Sequence, residues 1–187
     1  MREMLKLGAT LGVVCVVAAG AIAGVNGAVK ATIDENNRLE AVLKRRQVFP
    51  AATGFEERTV DGRAVFLAKD AAGASLGLVV TAAPRGYAGP IGMTIGISPD
   101  GTVAGLAISK LDQTETPGLG VKITLAAFRD QFRGKGADAV RLKKDGGSVD
   151  AITAATISSR AVANGVREAL AWYRTNFPQG LGGESRG

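Results

Sequence analysis

An uncharged segment near the N-terminus constrains the fold of this chain more than any other feature. No charged residue lies between Lys6 and Lys30, and Val, Ala, Leu, Ile and Gly dominate residues 7–25. A helix of this length spans about 30 Å, the thickness of the hydrocarbon core of a bilayer. Ala21, Ile22 and Ala23 could form a cleavage site, but the apolar run exceeds the roughly 7–15 residues of a signal-peptide core. We therefore interpret residues 1–29 as an uncleaved membrane anchor.

Charge does not fix the orientation of this anchor, because basic residues flank it on both sides. Arg2 and Lys6 precede the apolar run, and five basic residues follow it: Lys30, Arg38, Lys44, Arg45 and Arg46. The positive-inside rule counts Lys and Arg in the short flanking segments, and here it does not decide the side.

The rest of the sequence predicts a single α+β domain. Residues 30–49 are predicted as an amphipathic connecting helix that Pro50 ends, because apolar residues recur there at helical spacing: Ile33, Leu39, Val42 and Leu43. Segments of strand character follow at Ala64–Ala68, Leu76–Ala82, Ile91–Ser98 and Val103–Ser109. The turn residues of the segment 98–101, SPDG, predict an antiparallel hairpin between the last two.

Two further helices are predicted after these strands. The first begins near Val121, carries apolar residues at helical intervals, and ends at Gly134 and Gly136. A short strand is predicted next, and then a helix from about Ser158 to Asn176 that packs on the sheet through Val162, Val166, Leu170 and Tyr173. We expect a mostly antiparallel, twisted sheet flanked by helices over residues 50–177, and a disordered tail over 178–187.

Residue types that are missing from the chain exclude several kinds of site. The sequence contains no histidine and one cysteine, Cys15, so the chain alone cannot build a haem, iron–sulfur or zinc site. Ser–His–Asp and Cys–His catalysis are excluded for the same reason. No acidic cluster has the spacing of a calcium loop. Any redox chemistry therefore requires an organic cofactor.

The net charge of +6 does not indicate a nucleic-acid-binding protein. The basic residues are dispersed along the chain, and only 5% of the residues are aromatic. The basic triplet 44–46 is more simply a solvated helix face, and anionic lipid headgroups are its expected partners.

Residues 150–159, DAITAATISS, combine small and hydroxyl side chains where a helix is predicted to begin. The hydroxyls belong to Thr153, Thr156, Ser158 and Ser159. A helix N-terminus attracts phosphate, because its first N–H groups are unpaired and its dipole end is positive. Ser and Thr are also ordinary helix caps. Local chemistry leaves both interpretations of Thr156 open.

Two other loops have the turn residues that a ligand-binding loop needs. Residues 84–92 read PRGYAGPIG around Tyr87, and residues 114–120 read TETPGLG. Pro117 restricts Thr116 to an extended form, while the glycines of the second loop allow positive φ or close approach of the backbone. Each loop could lie against a flat ring, or could simply connect two elements.

The three loops together resemble a known family. The chain is similar to the FMN-binding G subunit of the Rnf electron transport complex. The similarity lies in three segments behind a single N-terminal span: GYAGPI (86–91), TETPGLG followed by Val121 and Lys122, and DAITAATISS. They are also similar to the related C subunit of the sodium-pumping NADH:quinone reductase. The resemblance covers most of residues 7–175.

This resemblance implies a covalent flavin. In the family, a threonine that ends a Ser/Thr–Gly–Ala–Thr motif carries FMN through a phosphoester bond. The matching residues are Thr153, Ala154, Ala155 and Thr156, so Thr156 is the implied attachment site, with Ser158 and Ser159 beside it. A separate flavin transferase with FAD as donor would attach the flavin. Ala154 replaces the usual glycine: if this position needs a positive φ, alanine would cost about 1 kcal/mol or more, and if it needs space, the added methyl could slow flavinylation.

The resemblance also implies the contacts of the flavin ring and the role of the chain. The expected contacts come from Tyr87, Gly89, Glu115, Thr116, Pro117, Gly118, Leu119, Gly120 and Lys122. No catalytic acid or base and no metal are expected, since the flavin supplies the redox chemistry. The implied function is electron transfer within a membrane-bound ferredoxin:NAD oxidoreductase complex of the Rnf type, which couples it to ion translocation.

The implied setting is a single-pass protein of the inner (cytoplasmic) membrane, associated with the other membrane subunits of that complex. Its flavin domain would lie on the periplasmic, or extracytoplasmic, side. The alternative is an anchored extracytoplasmic scaffold of the same fold without flavin, which Ala154 favours.

Overall fold

The computed structural model describes residues 2–87, 89–109 and 120–181, and the chain divides into two compact units, residues 1–42 and residues 43–187. Helix α1 spans Arg2–Val48 without interruption. The predicted anchor and connecting helix are therefore parts of one helix, because no proline precedes Pro50. Within the described ranges, α1 is the helix that is long and apolar enough to cross a membrane, with an 18-residue window of mean hydropathy 2.1 and no burial within the protein.

The second unit is built on a five-stranded antiparallel sheet in the order β1-β2-β3-β4-β5. The strands are β1 Gly54–Val60, β2 Arg63–Lys69, β3 Ser75–Ala82, β4 Met93–Ile97 and β5 Val103–Ile108. The hairpin predicted between β4 and β5 is present, since Gly101 N–H donates to the Ser98 carbonyl at 2.9 Å. The prediction of an α+β domain with a mostly antiparallel sheet is confirmed.

Strand β1 was not predicted, although β2 to β5 were. Its sequence GFEERTV places only Val60 in the core, so the hydrophobic alternation that marks a strand is nearly absent. Pairing with β2 along its full length holds this edge strand in place. Tertiary pairing thus decides its conformation where local pattern does not.

Both faces of the sheet are covered. One face carries the main core, which includes Leu78, Val80, Ile95 and Ile97. The other face lies under Val48 and Phe49, at the end of α1, and Gly105 allows this close packing. A Cβ on Gly105 would lie 2.9 Å from the Val48 carbonyl oxygen, closer than real Cβ contacts.

The single helix predicted from Val121 is wrong, because the chain there is divided into short turns. A 3-10 turn spans Gly120–Thr124, helix α2 spans Ala126–Arg129, and a second 3-10 turn spans Asp130–Phe132. Leu125 separates the first two with an extended backbone, at φ −68° and ψ 144°. The apolar spacing still indicated which side chains are buried. Phe128 and Phe132 are both buried, and their rings meet edge to face with the ring centroids 5.4 Å apart.

The strand predicted before the last helix is also wrong. The segment 133–155 contains a 3-10 turn at Lys143–Asp145 and one isolated parallel bridge between Leu142 and Val149. Both bridged side chains are buried, so their apolar character serves packing rather than a sheet.

Helix α3 spans Thr156–Asn176 and packs on the sheet. The predicted apolar face is confirmed, because Val162, Val166, Leu170 and Tyr173 are each at most 2% exposed. The helix begins two residues before the predicted start, and this shift changes the role of Thr156. Of the predicted tail, residues 182–187 lie outside the described residues.

Candidate functional site

The first residue of α3 is Thr156, and Ala155 occupies the capping position before it. The capping interpretation of Thr156 is therefore wrong, since a helix cap precedes the first helical residue. No side-chain hydrogen bond caps α3. Within the described part of the chain the Thr156 hydroxyl has no hydrogen-bond partner, and the side chain is half-buried. This hydroxyl is free for another role.

Ser159 organises the turn into α3. Its hydroxyl donates to the Ala155 carbonyl at 2.9 Å and accepts from the Ile152 N–H at 3.1 Å. The side chain is fully buried. Ser159 thus ties the segment before the helix to the first helical turn, and Thr156 is held at the bend between them.

Ala154 adopts a left-handed backbone, with φ of 63°. Asp61, at φ of 50°, is the other non-glycine residue with positive φ in the described ranges. Aspartate tolerates this region through local hydrogen bonds, whereas alanine has only the steric penalty of its Cβ, about 1–2 kcal/mol. Of the two alternatives considered for Ala154, a positive φ is the one observed, and the backbone is strained two residues before Thr156.

Replacing Ala154 by glycine is expected to raise the free energy of unfolding by about 1 kcal/mol, since glycine adopts positive φ without the Cβ clash. Urea unfolding of the full-length chain in detergent, followed by the fluorescence of its single tryptophan, Trp172, measures this change.

Ala171→Gly is the matched control, because Ala171 is exposed within α3. There the same chemical change should lower the free energy of unfolding by about 1 kcal/mol. If Ala154→Gly also lowered it, the strain assigned to Ala154 would be absent.

The loop 84–92 reaches the start of α3. Tyr87 N–H makes a long hydrogen bond, 3.5 Å, to the Ser158 hydroxyl. The loop is tight, because Ile91 N–H donates to the Pro84 carbonyl at 2.8 Å and Gly86 N–H donates to the Gly89 carbonyl at 2.8 Å. The Tyr87 side chain is 71% exposed, so it does not close the core and its ring is open to a ligand.

The turn that follows the loop 114–120 also lies beside α3. The 3-10 turn Gly120–Thr124 contacts α3, and the Lys122 side chain on this turn is exposed. Ser109, five residues before the loop 114–120 in the sequence, donates its N–H to the Gly92 carbonyl at 2.8 Å. Five predicted contact residues lie outside the described residues: Glu115, Thr116, Pro117, Gly118 and Leu119.

Two residues near these loops were missed by the sequence reasoning. Lys44 Nζ donates to the Ser109 hydroxyl at 2.7 Å, and Ser109 precedes the loop 114–120 in the sequence. Arg160 follows Thr156 by four residues and so lies on the same face of α3. The i, i+4 spacing from Thr156 was the signal that could have indicated Arg160.

The described residues fit the phosphate end of a flavin mononucleotide. The Thr156 hydroxyl is unengaged in the described structure, and the first N–H groups of α3 lack partners within the helix. Thr153 is exposed nearby, and the exposed ring of Tyr87 lies on the adjacent loop. A small hydroxyl cluster, a helix N-terminus and an open aromatic ring are thus brought together.

Comparison with known proteins gives consistent matches. A family model described as an FMN-binding domain matches residues 86–171. The G subunit of the Na(+)-translocating ferredoxin:NAD(+) oxidoreductase complex of Acetobacterium woodii is 35% identical, over 92% of this chain and 93% of that protein. The G subunit of the ion-translocating oxidoreductase complex of Escherichia coli K12 is 33% identical, over 94% of this chain and 93% of that protein.

A solved structure confirms the fold. The crystal structure of Shewanella oneidensis NqrC superposes with a TM-score of 0.54 and 24% sequence identity, over 71% of this chain and 72% of that one. At this identity the similarity is one of fold.

Proposed function

The chain belongs to the family of G subunits of Rnf-type ion-translocating oxidoreductase complexes, and from this premise we propose that it carries electrons on FMN esterified to Thr156. Membership of the family supports the role of a flavoprotein subunit in a redox enzyme complex. The subunit alone is proposed not to be catalytic. Covalent attachment to Thr156 is the more specific part of the proposal.

The observation that carries covalent attachment is the state of Thr156. Its hydroxyl opens α3, is half-buried, and has no hydrogen-bond partner in the described structure. A hydroxyl used only for stability would be expected to cap the helix or bond to a nearby carbonyl, as Ser159 does. Thr156 can therefore give its oxygen to a phosphoester without breaking a contact of the folded chain.

The remaining residues of the site would hold the esterified group. The first N–H groups of α3 and the positive end of its dipole would stabilise the phosphate charge. Tyr87 would lie against the ring, with Gly120 and Lys122 at the far side of the site. The bound flavin supplies the electron transfer.

Maturation requires a separate enzyme. Threonine hydroxyls are weak nucleophiles that need a base, and this chain has no histidine. A flavin transferase would supply that base and use FAD as donor: the Thr156 oxygen bonds to the phosphorus of the FMN half, the pyrophosphate bond of FAD breaks, and AMP leaves.

We place the chain as a single-pass protein of the inner membrane, anchored by α1 in the lipid bilayer beside the other membrane subunits. The flavin domain is proposed to lie on the extracytoplasmic side. A reporter enzyme that is active only outside the cytoplasm, fused after Gly187, should be active. Activity only of a cytoplasmic reporter would reverse this assignment.

Mass spectrometry of the chain purified from its native membrane tests the flavin itself. The peptide that contains Thr156 should carry the mass of FMN less one water, with the fragment ions placing the adduct on Thr156. An unmodified peptide at full occupancy would instead favour the flavin-free scaffold, the alternative suggested by the strained Ala154.

A further inference from the structure

A cavity of about 220 Å³ lies beside α3, and one of its lining residues, Arg160, directly follows the segment 150–159. Arg160 and Arg167, two helical turns apart, line one wall, and Arg141 lines the other. The buried side chains of Leu142 and Ala163 also line it. Asp145 is the single carboxylate among the lining residues, so the three arginines leave a formal charge of +2.

One of the three arginines is already held in place. Arg160 donates from Nε to one oxygen of Asp145 at 2.8 Å and from Nη2 to the other at 2.9 Å. Its side-chain hydrogen bonds hold the pKa of Asp145 below the usual value, so this carboxylate stays ionised at neutral pH. The bidentate pair uses one edge of the guanidinium and leaves Nη1 of Arg160 to donate elsewhere.

The other two guanidinium groups have no such counterion. Within the described residues, neither Arg141 nor Arg167 has a side-chain hydrogen bond or an ion pair. Arg141 and Arg160 are exposed and Arg167 is half-buried, so the three cations lie at a solvent-accessible surface, where an anion would be attracted by all three.

We propose that this cavity binds a phosphate group. The lining arginines belong to two segments of the chain, Arg141 before the 3-10 turn Lys143–Asp145 and Arg160 and Arg167 in α3, and a tetrahedral anion has enough oxygens to accept hydrogen bonds from all of them. One guanidinium fork already engages both oxygens of a carboxylate, as Arg160 does with Asp145, whereas a phosphate group has further oxygens for other guanidinium groups. The cavity, about 220 Å³ in volume and partly open to solvent, accommodates a phosphate group.

The phosphate can come from solution or from a phospholipid headgroup, and the chemistry of recognition is the same. The proposal does not rest on the flavin, because Arg141 and Arg167 are outside the attachment segment. It is tested with the full-length chain in detergent micelles, produced without flavin transferase and labelled with ¹⁵N-arginine. Inorganic phosphate is titrated at constant ionic strength against chloride, and the Nε–H signals of the arginines are followed.

The expected result is a saturable shift of the Arg141, Arg160 and Arg167 signals. In the double variant Arg141→Gln/Arg167→Gln, the affinity for inorganic phosphate, measured on the Arg160 signal, should fall at least tenfold. The control Arg133→Gln/Arg58→Gln removes the same charge at two exposed arginines outside the cavity and should bind as the wild type does. Unchanged circular dichroism shows that the variants are folded.

A shift that does not saturate, or equal affinity in the two double variants, would overturn the proposal. The same titration in nanodiscs identifies the source. If phosphatidic acid in the nanodisc displaces inorganic phosphate from the cavity, the ligand is a lipid headgroup. If it does not, while binding stays saturable, the ligand is free phosphate.

Discussion

A Thr156→Ala variant coexpressed with a flavin transferase is expected to carry no covalent flavin. The substitution removes the oxygen that would form the ester, so the loss should be complete rather than partial. The fold should survive, because the hydroxyl has no hydrogen-bond partner in the described structure and alanine is a good helix former. A denaturing gel imaged for flavin fluorescence, with the wild type in the next lane, measures the result.

Thr153→Ala is the matched control for this experiment. Thr153 lies three residues earlier, is exposed, and also has no hydrogen-bond partner in the described part of the chain. Its hydroxyl is not the proposed ester oxygen, so the fluorescent band should remain. A fluorescent band of wild-type intensity in Thr156→Ala would show that the flavin is attached at another residue, and a band missing from the wild type would remove the covalent proposal.

Local sequence patterns predicted the elements whose own residues determine them. Strands β2 to β5 have apolar runs bounded by turn residues, and α3 has an apolar face with helical period. The short helices after Gly120 were not predicted, because Phe128 and Phe132 have helical spacing in a segment that Leu125 interrupts. Spacing indicated which side chains are buried, but not whether the backbone between them is continuous.

The location of the candidate site could be predicted from the sequence, but the roles of its individual side chains could not. The motifs predicted where a ligand would bind, and the structure brings loop 84–92 and the turn at Gly120 to the start of α3. The roles of individual hydroxyls could not be predicted, because Thr156 and Ser159 look equally suited to capping in the sequence. The buried Ser159 alone meets both the Ala155 carbonyl and the Ile152 N–H, and that depends on the exact path of the bend at Ala154.

Gly165→Val is expected to lower the free energy of unfolding by about 1–3 kcal/mol, the usual effect of overpacking a core. Gly165 is buried on the face of α3 that meets Met93 and Pro84. A Cβ there would lie 2.9 Å from Pro84 Cγ and would also overlap the end of Met93. The methionine can move, but the proline ring is rigid and begins the loop 84–92, so the helix and this loop must separate.

Helix propensity alone predicts the opposite sign, since glycine in a helix interior is less favourable than valine. Ala171→Val, at an exposed position of the same helix, controls for the small propensity cost of a β-branched residue and should change stability by less than about 1 kcal/mol. Urea unfolding followed by Trp172 fluorescence compares the two variants.

Because Tyr87 meets Ser158 across the same junction, Gly165→Val should also reduce flavin loading, measured by gel fluorescence. A Gly165→Val protein as stable as Ala171→Val would mean that α3 and the loop are not packed closely at Pro84, and that Gly165 does not set the distance across the site.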